Sequence, residues 1–213
     1  FNSSNLLNNM DDYTEDNKSI LMKLLQISNI IFPSKKKNTF LFGKQYIENT
    51  SLIIKEYIKS LNNKRYISYK IKEQGIINNK PFIDEDNLKD YSSKFYKCLL
   101  NIKKSTGIIF IYSNFNPAVV IPLSPALEQN GYLPYKSKPL LNYNKKKLPI
   151  CYLCGNNLKN HNNQKHEFGP AYYLLASGEK DIIKYDINDI KSNINSSDNK
   201  YGKNIKIILG TSK

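Results

Sequence analysis

Cys151 and Cys154 are separated by two residues, and the only two histidines of the chain, His161 and His166, follow shortly after them. A thiolate pair at that spacing can bite one face of a tetrahedral ion. Gly155 permits the tight turn behind it, and two imidazoles complete a four-ligand set. Four protein ligands leave no open coordination position, so the set predicts a structural zinc that staples its segment shut rather than a catalytic metal. The alternative is a surface loop with incidental Cys and His. The third cysteine, Cys98, stands beside Leu99 on a helical face and reads as a small buried hydrophobe.

Other chemistry is hard to assemble from these residues. No Gly-x4-Gly-Lys-Ser/Thr run occurs; Gly43-Lys44 and Gly202-Lys203 both lack the upstream glycine, so no phosphate-cradling loop is present. Both histidines belong to the metal set, which leaves no base for a Ser or Cys nucleophile. Asp84, Glu85 and Asp86 form a charge run close to a proline and read as a solvated turn. The sequence therefore holds no self-sufficient active site.

The formal net charge of +14 suits a nucleic-acid partner, but Arg65 is the only arginine among 32 basic residues. The remainder are Lys in a background of Asn, Ile and Tyr, the amino acids of A/T-rich codons, so codon bias alone can supply the same charge. No arginine fork is at hand for a transferring phosphoryl group. The 213 residues contain no apolar run long enough to span a bilayer and no secretory signal. Three cysteines cannot build a disulfide framework, so an integral membrane protein and a secreted scaffold are both excluded as readings. The first residue is Phe1 rather than Met, which predicts a piece of a longer chain.

The elements that must position these residues are legible from periodicity. Residues 1–18 read as a loop-like leader rich in Asn, Ser and acids. Ile20, Leu21, Leu24, Leu25 and Ile27 predict a helix that exits at Pro33, and Ile47, Ile54, Tyr57, Ile58 and Leu61 predict a second. Residues 65–71 alternate as a strand. From Ser92 the pattern becomes regular. Ser92 or Ser93 caps a helix through Phe95, Leu99, Leu100 and Ile102 that stops at Gly107, and Ile108 to Tyr112 reads as a strand buried on both faces. Ser124 and Pro125 read as the start of a short helix ending at Gly131. Further strands are predicted over 172–176 and 205–209, with a helix over 181–194 between them. Alternating short apolar strands and helices predict an α/β fold with a doubly wound parallel sheet, whose ligands bind at the carboxyl ends of the strands. The connection from Tyr132 to Pro170 is too long for an ordinary loop. It carries Lys136, Lys138, Lys145, Lys146, Lys147 and then the Cys/His set, and reads as an insertion over 132–170.

Several short motifs, taken in order, resemble a known family. Ser93-Lys94-Phe95, then Ile109-Phe110-Ile111-Tyr112-Ser113-Asn114-Phe115, then Ala126 through Tyr132 resemble the start of the second RecA-like lobe of superfamily-2 helicases. The likeness is greatest to helicase-like ATPases of large DNA viruses, of the poxvirus early transcription factor and nucleoside triphosphatase type. Cys151-Tyr152-Leu153-Cys154-Gly155, His166-Glu167-Phe168 with Pro170-Ala171, and Asn199 through Gly202 with Ile205 to Ser212 resemble the continuation in giant-virus members. Gln26 to Asn29 and Phe32-Pro33 resemble the segment joining the two lobes.

This resemblance implies an inter-lobe segment of mixed helix and loop over 1–91 and an incomplete second lobe over 92–213. It implies that Tyr112, Ser113 and Asn114 border a nucleic-acid groove, and that Gly210, Thr211 and Ser212 begin a motif touching nucleic acid and the ATP cleft. A bare strand end entering a turn is the plainer reading of 112–114. No catalytic residue is assigned within this chain. ATP and magnesium would be held mainly by a first lobe, and the fragment alone would be inactive. The implied whole is an ATP-dependent helicase or translocase on DNA or RNA, joined to its own first lobe and to viral transcription machinery. It would act in the virion or in the host-cell cytoplasm, in viral transcription or replication. A non-catalytic, zinc-bearing nucleic-acid adaptor accounts equally for the lysines and the Cys/His set, and a structural interaction domain accounts for the sheet alone.

Overall fold

The computed structural model describes residues 15–34, 40–42, 53–59, 65–114, 119–162, 164–176 and 187–211. Its centre is a four-stranded, wholly parallel sheet formed by β7 (Ile109–Ser113), β8 (Leu133–Pro134), β10 (Tyr172–Ala176) and β11 (Ile207–Thr211). The spatial order is β7-β11-β10-β8. Period-two alternation divides the side chains between two faces. Tyr173, Leu175, Ile207 and Leu209 share one core with Phe95, Leu99 and Ile102 of α3 (Ser93–Lys104) and with Leu123, Ala126 and Leu127 of α4 (Ile121–Gln129). Leu174, Ile205 and Ile208 form a second cluster with Ile190 and Ile194 of α5 (Ile187–Asn195). Helices therefore cover both faces, which is the doubly wound α/β arrangement the sequence predicts.

The preceding segment is welded to this sheet rather than hung from it. Helix α1 (Glu15–Asn29) leads into β1 (Ile31–Pro33), which pairs antiparallel with β2 (Phe40–Phe42). Ile30 and Phe32, with Phe82, Ile83 and Leu88, are buried in the same core as Phe95 and Tyr173. Between them lie the antiparallel pair β3 (Ile53–Lys59) and β4 (Arg65–Ile71), the short hairpin β5 (Ile76–Ile77) and β6 (Lys80–Pro81), and α2 (Glu85–Tyr91). A two-residue strand, β9 (Leu141–Asn142), adds parallel to β4, with Leu141 opposite Tyr69 and Asn142 opposite Lys70.

Several sequence expectations are corrected here. The second predicted helix is strand β3 over its described part. Its Ile and Tyr residues are β-formers, and all seven positions pair in register with β4, which outweighs helical spacing. The first helix begins at Glu15, inside the predicted leader, and ends at Asn29, before Pro33. Helix α3 stops at Lys104, with Ser105 rather than Gly107 as its cap. Helix α4 starts at Ile121 and runs through Ser124 and Pro125, because Pro122 already occupies the first turn. The last strand lies two residues later than expected, at Ile207–Thr211. Strand β7 is not buried on both faces. It is the sheet edge, and Phe110 and Tyr112, on the same face as their register partners Ile208 and Gly210, are 64% and 54% exposed. The insertion is not structureless, since its first residues supply β8. Residues 1–14, the predicted 181–186 part of the last helix, and Ser212 lie outside the described residues.

Asp84 is likewise no solvated turn residue. It is 2% exposed and caps α2 by accepting from the Asp86 N–H. Its other partners are Gln129 Nε2 at 3.0 Å and Lys147 Nζ at 3.1 Å. The adjoining α4 residues extend this buried polar web. Asn130 Oδ1 accepts from Glu85 N–H, and its Nδ2 donates to Ile83 O and Ala126 O. Glu128 accepts from the Leu140 and Leu141 N–H groups and from the Tyr173 hydroxyl, which ties α4, β9 and β10 together. Among the described residues, no helix is long and apolar enough to cross a membrane.

Candidate metal centre

The Cys/His segment hangs from the amino ends of β8 and β10. Ile150 N–H donates to Gly131 O, and Ala171 N–H donates to Ile150 O, so one extended residue clamps the chain just before both strands. Cys151 then faces Pro170 in an antiparallel bridge. The turn that follows is closed by Gly155 N–H to Cys151 O and Cys151 N–H to Asn156 O. Gly155 has φ +71, and a side chain there would press on Lys103 O at 3.0 Å, so this turn requires glycine. A short 3-10 turn, Leu158–Asn160, capped by the Asn157 side chain, delivers His161, whose ring packs edge-on against Phe168.

The fold brings Cys151, Cys154, His161 and His166 to one point, with their ligand atoms all within 4.8 Å of one another. His161 Nε2 is 3.2 Å from His166 Nε2, and Cys151 Sγ is 3.4 Å from His166 Nε2. A tetrahedral zinc with ordinary bond lengths would set such pairs about 3.3 Å and about 3.5 Å apart. Two thiols and two imidazoles, with Cys151 buried and His161 8% exposed, are also the donor set that zinc favours. The residues present therefore fit the ion. Burial pushes the Cys151 thiol up, but backbone N–H groups of Gly169, Cys154 and Leu153 and the His166 ring bond its sulfur and bring it down to about 6. Burial dominates at Cys154, whose thiol stays above its ordinary value, and the neighbouring Cys151 reinforces the shift. All three cysteines are unbridged. Cys98 on α3 packs against the core as a small hydrophobe but is partly rather than fully buried.

The strand-end residues lie at the opposite edge. Parallel register sets Tyr112 beside Gly210 and Ser113 beside Thr211, at the carboxyl ends of β7 and β11. The Tyr112 hydroxyl donates to Asn114 Oδ1 at 2.6 Å. The fold thus brings five of the six predicted residues to one strip of strand ends, with Tyr112 and Gly210 on one face of the sheet and Ser113 and Thr211 on the other, the sixth, Ser212, being outside the described residues. Phe110, which sequence reasoning placed in the core, joins this strip by stacking on Tyr112, with ring centroids 6.4 Å apart. Gly210 makes room for it, since a side chain there would lie 2.9 Å from the Phe110 ring. The alternation of Ile with aromatic residues over 109–112 was the available signal that two faces differ. The metal cluster is joined to the amino ends of the sheet and this strip to the carboxyl ends, roughly 13 Å away along the strands.

Three of the seven lysines of the insertion form ion pairs among the described residues. Lys136 pairs with Asp189, Lys147 with Asp84 and Glu85, and Lys146 with the buried Glu128. These cations neutralise internal carboxylates and fasten loops.

No protein-family model matches the chain, and no solved structure matches it. Two proteins of Acanthamoeba polyphaga mimivirus, each carrying the name "Putative ATP-dependent RNA helicase", are similar to it. One is 33% identical over 178 residues, covering 76% of this chain and 15% of its own length. The other is 29% identical over 153 residues, covering 68% of this chain and 21% of its own length. The chain thus spans about a fifth or less of the curated relatives it matches. The similarity supports a helicase-like family of a large DNA virus and does not single out the poxvirus type.

Proposed function

We propose that this chain is part of an ATP-dependent helicase or translocase of a large DNA virus, comprising an inter-lobe segment over 1–91 and an incomplete second RecA-like lobe over 92–213. The observation that carries the proposal is the pairing of Tyr112 and Ser113 with Gly210 and Thr211 at the carboxyl ends of adjacent parallel strands. Similarity to two proteins named as RNA helicases points the same way. Ligands of such sheets bind at the strand carboxyl ends. Hydroxyls of Ser113 and Thr211, with the Asn114 amide, suit phosphate oxygens, and contacts of that kind position a strand without reading its bases. The exposed Phe110 and Tyr112 rings offer a stacking surface on the other face of the same strand ends, and Ser212 would extend the strip.

In this reading ATP and magnesium bind mainly to a first lobe outside this chain, and hydrolysis opens and closes the groove around one strand. RNA is the favoured substrate, from the names of the relatives. The work is viral transcription or replication, within the virion or the host cytoplasm. Cys151, Cys154, His161 and His166 would hold zinc, which supplies cross-linking of the insertion and no chemistry of the reaction. Its place at the amino ends of β8 and β10, away from the strip, supports that structural role. A purely basic adaptor is disfavoured because Lys136, Lys146 and Lys147 are engaged with internal carboxylates.

The test is RNA-stimulated ATP turnover by the full-length protein that carries this chain. Stimulation is expected, and Ser113→Ala with Thr211→Val should raise the RNA concentration for half-maximal stimulation about tenfold. Turnover indifferent to RNA, or a double variant indistinguishable from the parent, would overturn the proposal.

A further inference from the structure

The pairing of β4 with β9 leaves a groove that the strand-end strip does not use. Two adjoining hollows of about 540 and 600 Å³ meet at Asn142, Tyr143 and Asn144. One is bordered by Lys70 and Lys145, the other by Lys138 and Lys146. Lys70 is the register partner of Asn142, so a cation and an amide stand side by side on neighbouring strands. Among the described lining residues none is acidic. Lys146 is held by Leu141 O and Glu128, whereas Lys70 and Lys145 are exposed and pair with no carboxylate among the described residues. This is the reverse of Lys136 and Lys147, whose charges are met by Asp189 and by Asp84 with Glu85. Within the insertion, Lys136 and Lys147 fasten the fold, Lys146 both fastens it and borders this groove, and Lys145 borders the groove alone.

We propose that this groove binds the backbone of a single-stranded nucleic acid, as a second contact surface separate from the Tyr112 to Thr211 strip. Lysine ammonium groups bind phosphates as point charges without the bidentate fork that reads guanine, so the contact is indifferent to sequence. Asn142 and Asn144 amides can donate to phosphate or sugar oxygens. The half-buried Tyr143, where the two hollows meet, offers a ring on which a base can stack. Cations tracking a backbone beside an aromatic ring are the usual means of holding single strands. The net charge of +14 adds long-range attraction for a polyanion.

The experiment is fluorescence anisotropy of the 213-residue chain with labelled single-stranded 12-mers, oligo(U) and oligo(dT), across a salt series. Lys70→Glu with Lys145→Glu should weaken binding at least tenfold at low salt. It should also make the dependence of log K on log salt shallower by about 1.4, two phosphate contacts at about 0.7 each. Tyr143→Leu should weaken binding about tenfold with little change in that slope. The control, Lys89→Glu with Lys104→Glu, alters the net charge equally at exposed positions elsewhere and should have a much smaller effect. The proposal is overturned by a groove variant within twofold of the parent, by a control that loses as much, or by polyglutamate binding where the 12-mers do not. Ser113→Ala with Thr211→Val on the same probes separates the two readings. Loss there with the groove variant unaffected sinks this inference and leaves the proposed function standing, and the converse pattern does the opposite. Far-UV circular dichroism confirms that each variant is folded.

Discussion

His161 Nε2 lies 3.2 Å from His166 Nε2, with the two rings nearly perpendicular at 86°. Neutral imidazoles meeting in this way do so either through one shared proton or through an ion that takes both lone pairs, and the two nearby thiols favour the ion. Purified chain should contain about one zinc per molecule. Cys154→Ser should lose that metal under mild chelation and speed amide exchange across 150–170. Because the cluster hangs from the sheet without entering its core, the far-UV spectrum and a cooperative unfolding transition should persist. Collapse of the whole fold in Cys154→Ser, or a parent chain that binds no zinc, would contradict the structural role.

Glu128 is 3% exposed, and both of its oxygens accept hydrogen bonds. Glu128→Gln sets an amide N–H₂ against a donor, either the Leu141 N–H or the pair formed by the Leu140 N–H and the Tyr173 hydroxyl. A cost of about 1–3 kcal/mol is expected from denaturant unfolding. The pH dependence has a definite sign. Burial raises the Glu128 carboxyl above its ordinary 4.5 despite its hydrogen bonds and Lys146. The folded state then binds more protons than the unfolded chain from about pH 4.5 up to the folded pKa, so this group's contribution falls as pH rises through that window. The stability advantage of the parent over the Glu128→Gln variant should be largest on the acid side and shrink toward neutrality. An advantage that grows with pH would show that the hydrogen bonds outweigh burial.

What the sequence made legible was local or carried by spacing. Helix α3 follows from Ser92 and the Phe95, Leu99, Ile102 stripe, and β10 from five residues of apolar run. The Cys151, Cys154, His161, His166 set needed only its spacing, because residues so near in sequence meet by a turn. Features set by distant partners were not legible. Strand β3 keeps a helical pattern of Ile and Tyr, and pairing with β4 decides its state. Asp84 looks solvated until Gln129 and Lys147 are folded against it. Phe110 and Tyr112 read as core because nothing local reveals that β7 is an edge. Likewise, two residues at 133–134 are too few to register as a strand without β10 beside them.

Gly131 should tolerate no side chain. Its φ is +92, and a Cβ there would stand 2.4 Å from the backbone oxygen of Leu148, which cannot swing aside as a side chain can. The same glycine accepts the Ile150 hydrogen bond that clamps the insertion to β8. Gly131→Ala should therefore cost more than about 2 kcal/mol through combined strain and displacement. Gly107→Ala, which meets open space, should change stability by less than about 0.5 kcal/mol. Equal effects in thermal or urea unfolding would refute the assignment of Gly131 as a fixed point.

Ser92 joins two segments through one hydroxyl. Its oxygen accepts from Phe95 N–H as the α3 cap, while its proton goes to Asn29 O at the end of α1. Ser92→Ala removes both bonds together. Loss of the cap should cost about 1 kcal/mol, and the stranded Asn29 carbonyl about 1 kcal/mol more. Ser93, one residue on, is exposed and inside the helix, so Ser93→Ala should be within about 0.5 kcal/mol of the parent. Urea midpoints of the two variants distinguish them directly. If Ser93→Ala proved the more damaging, the cap would belong to Ser93 and the tie between α1 and α3 would rest on Lys94, which donates to Ser28 Oγ and Asn29 Oδ1.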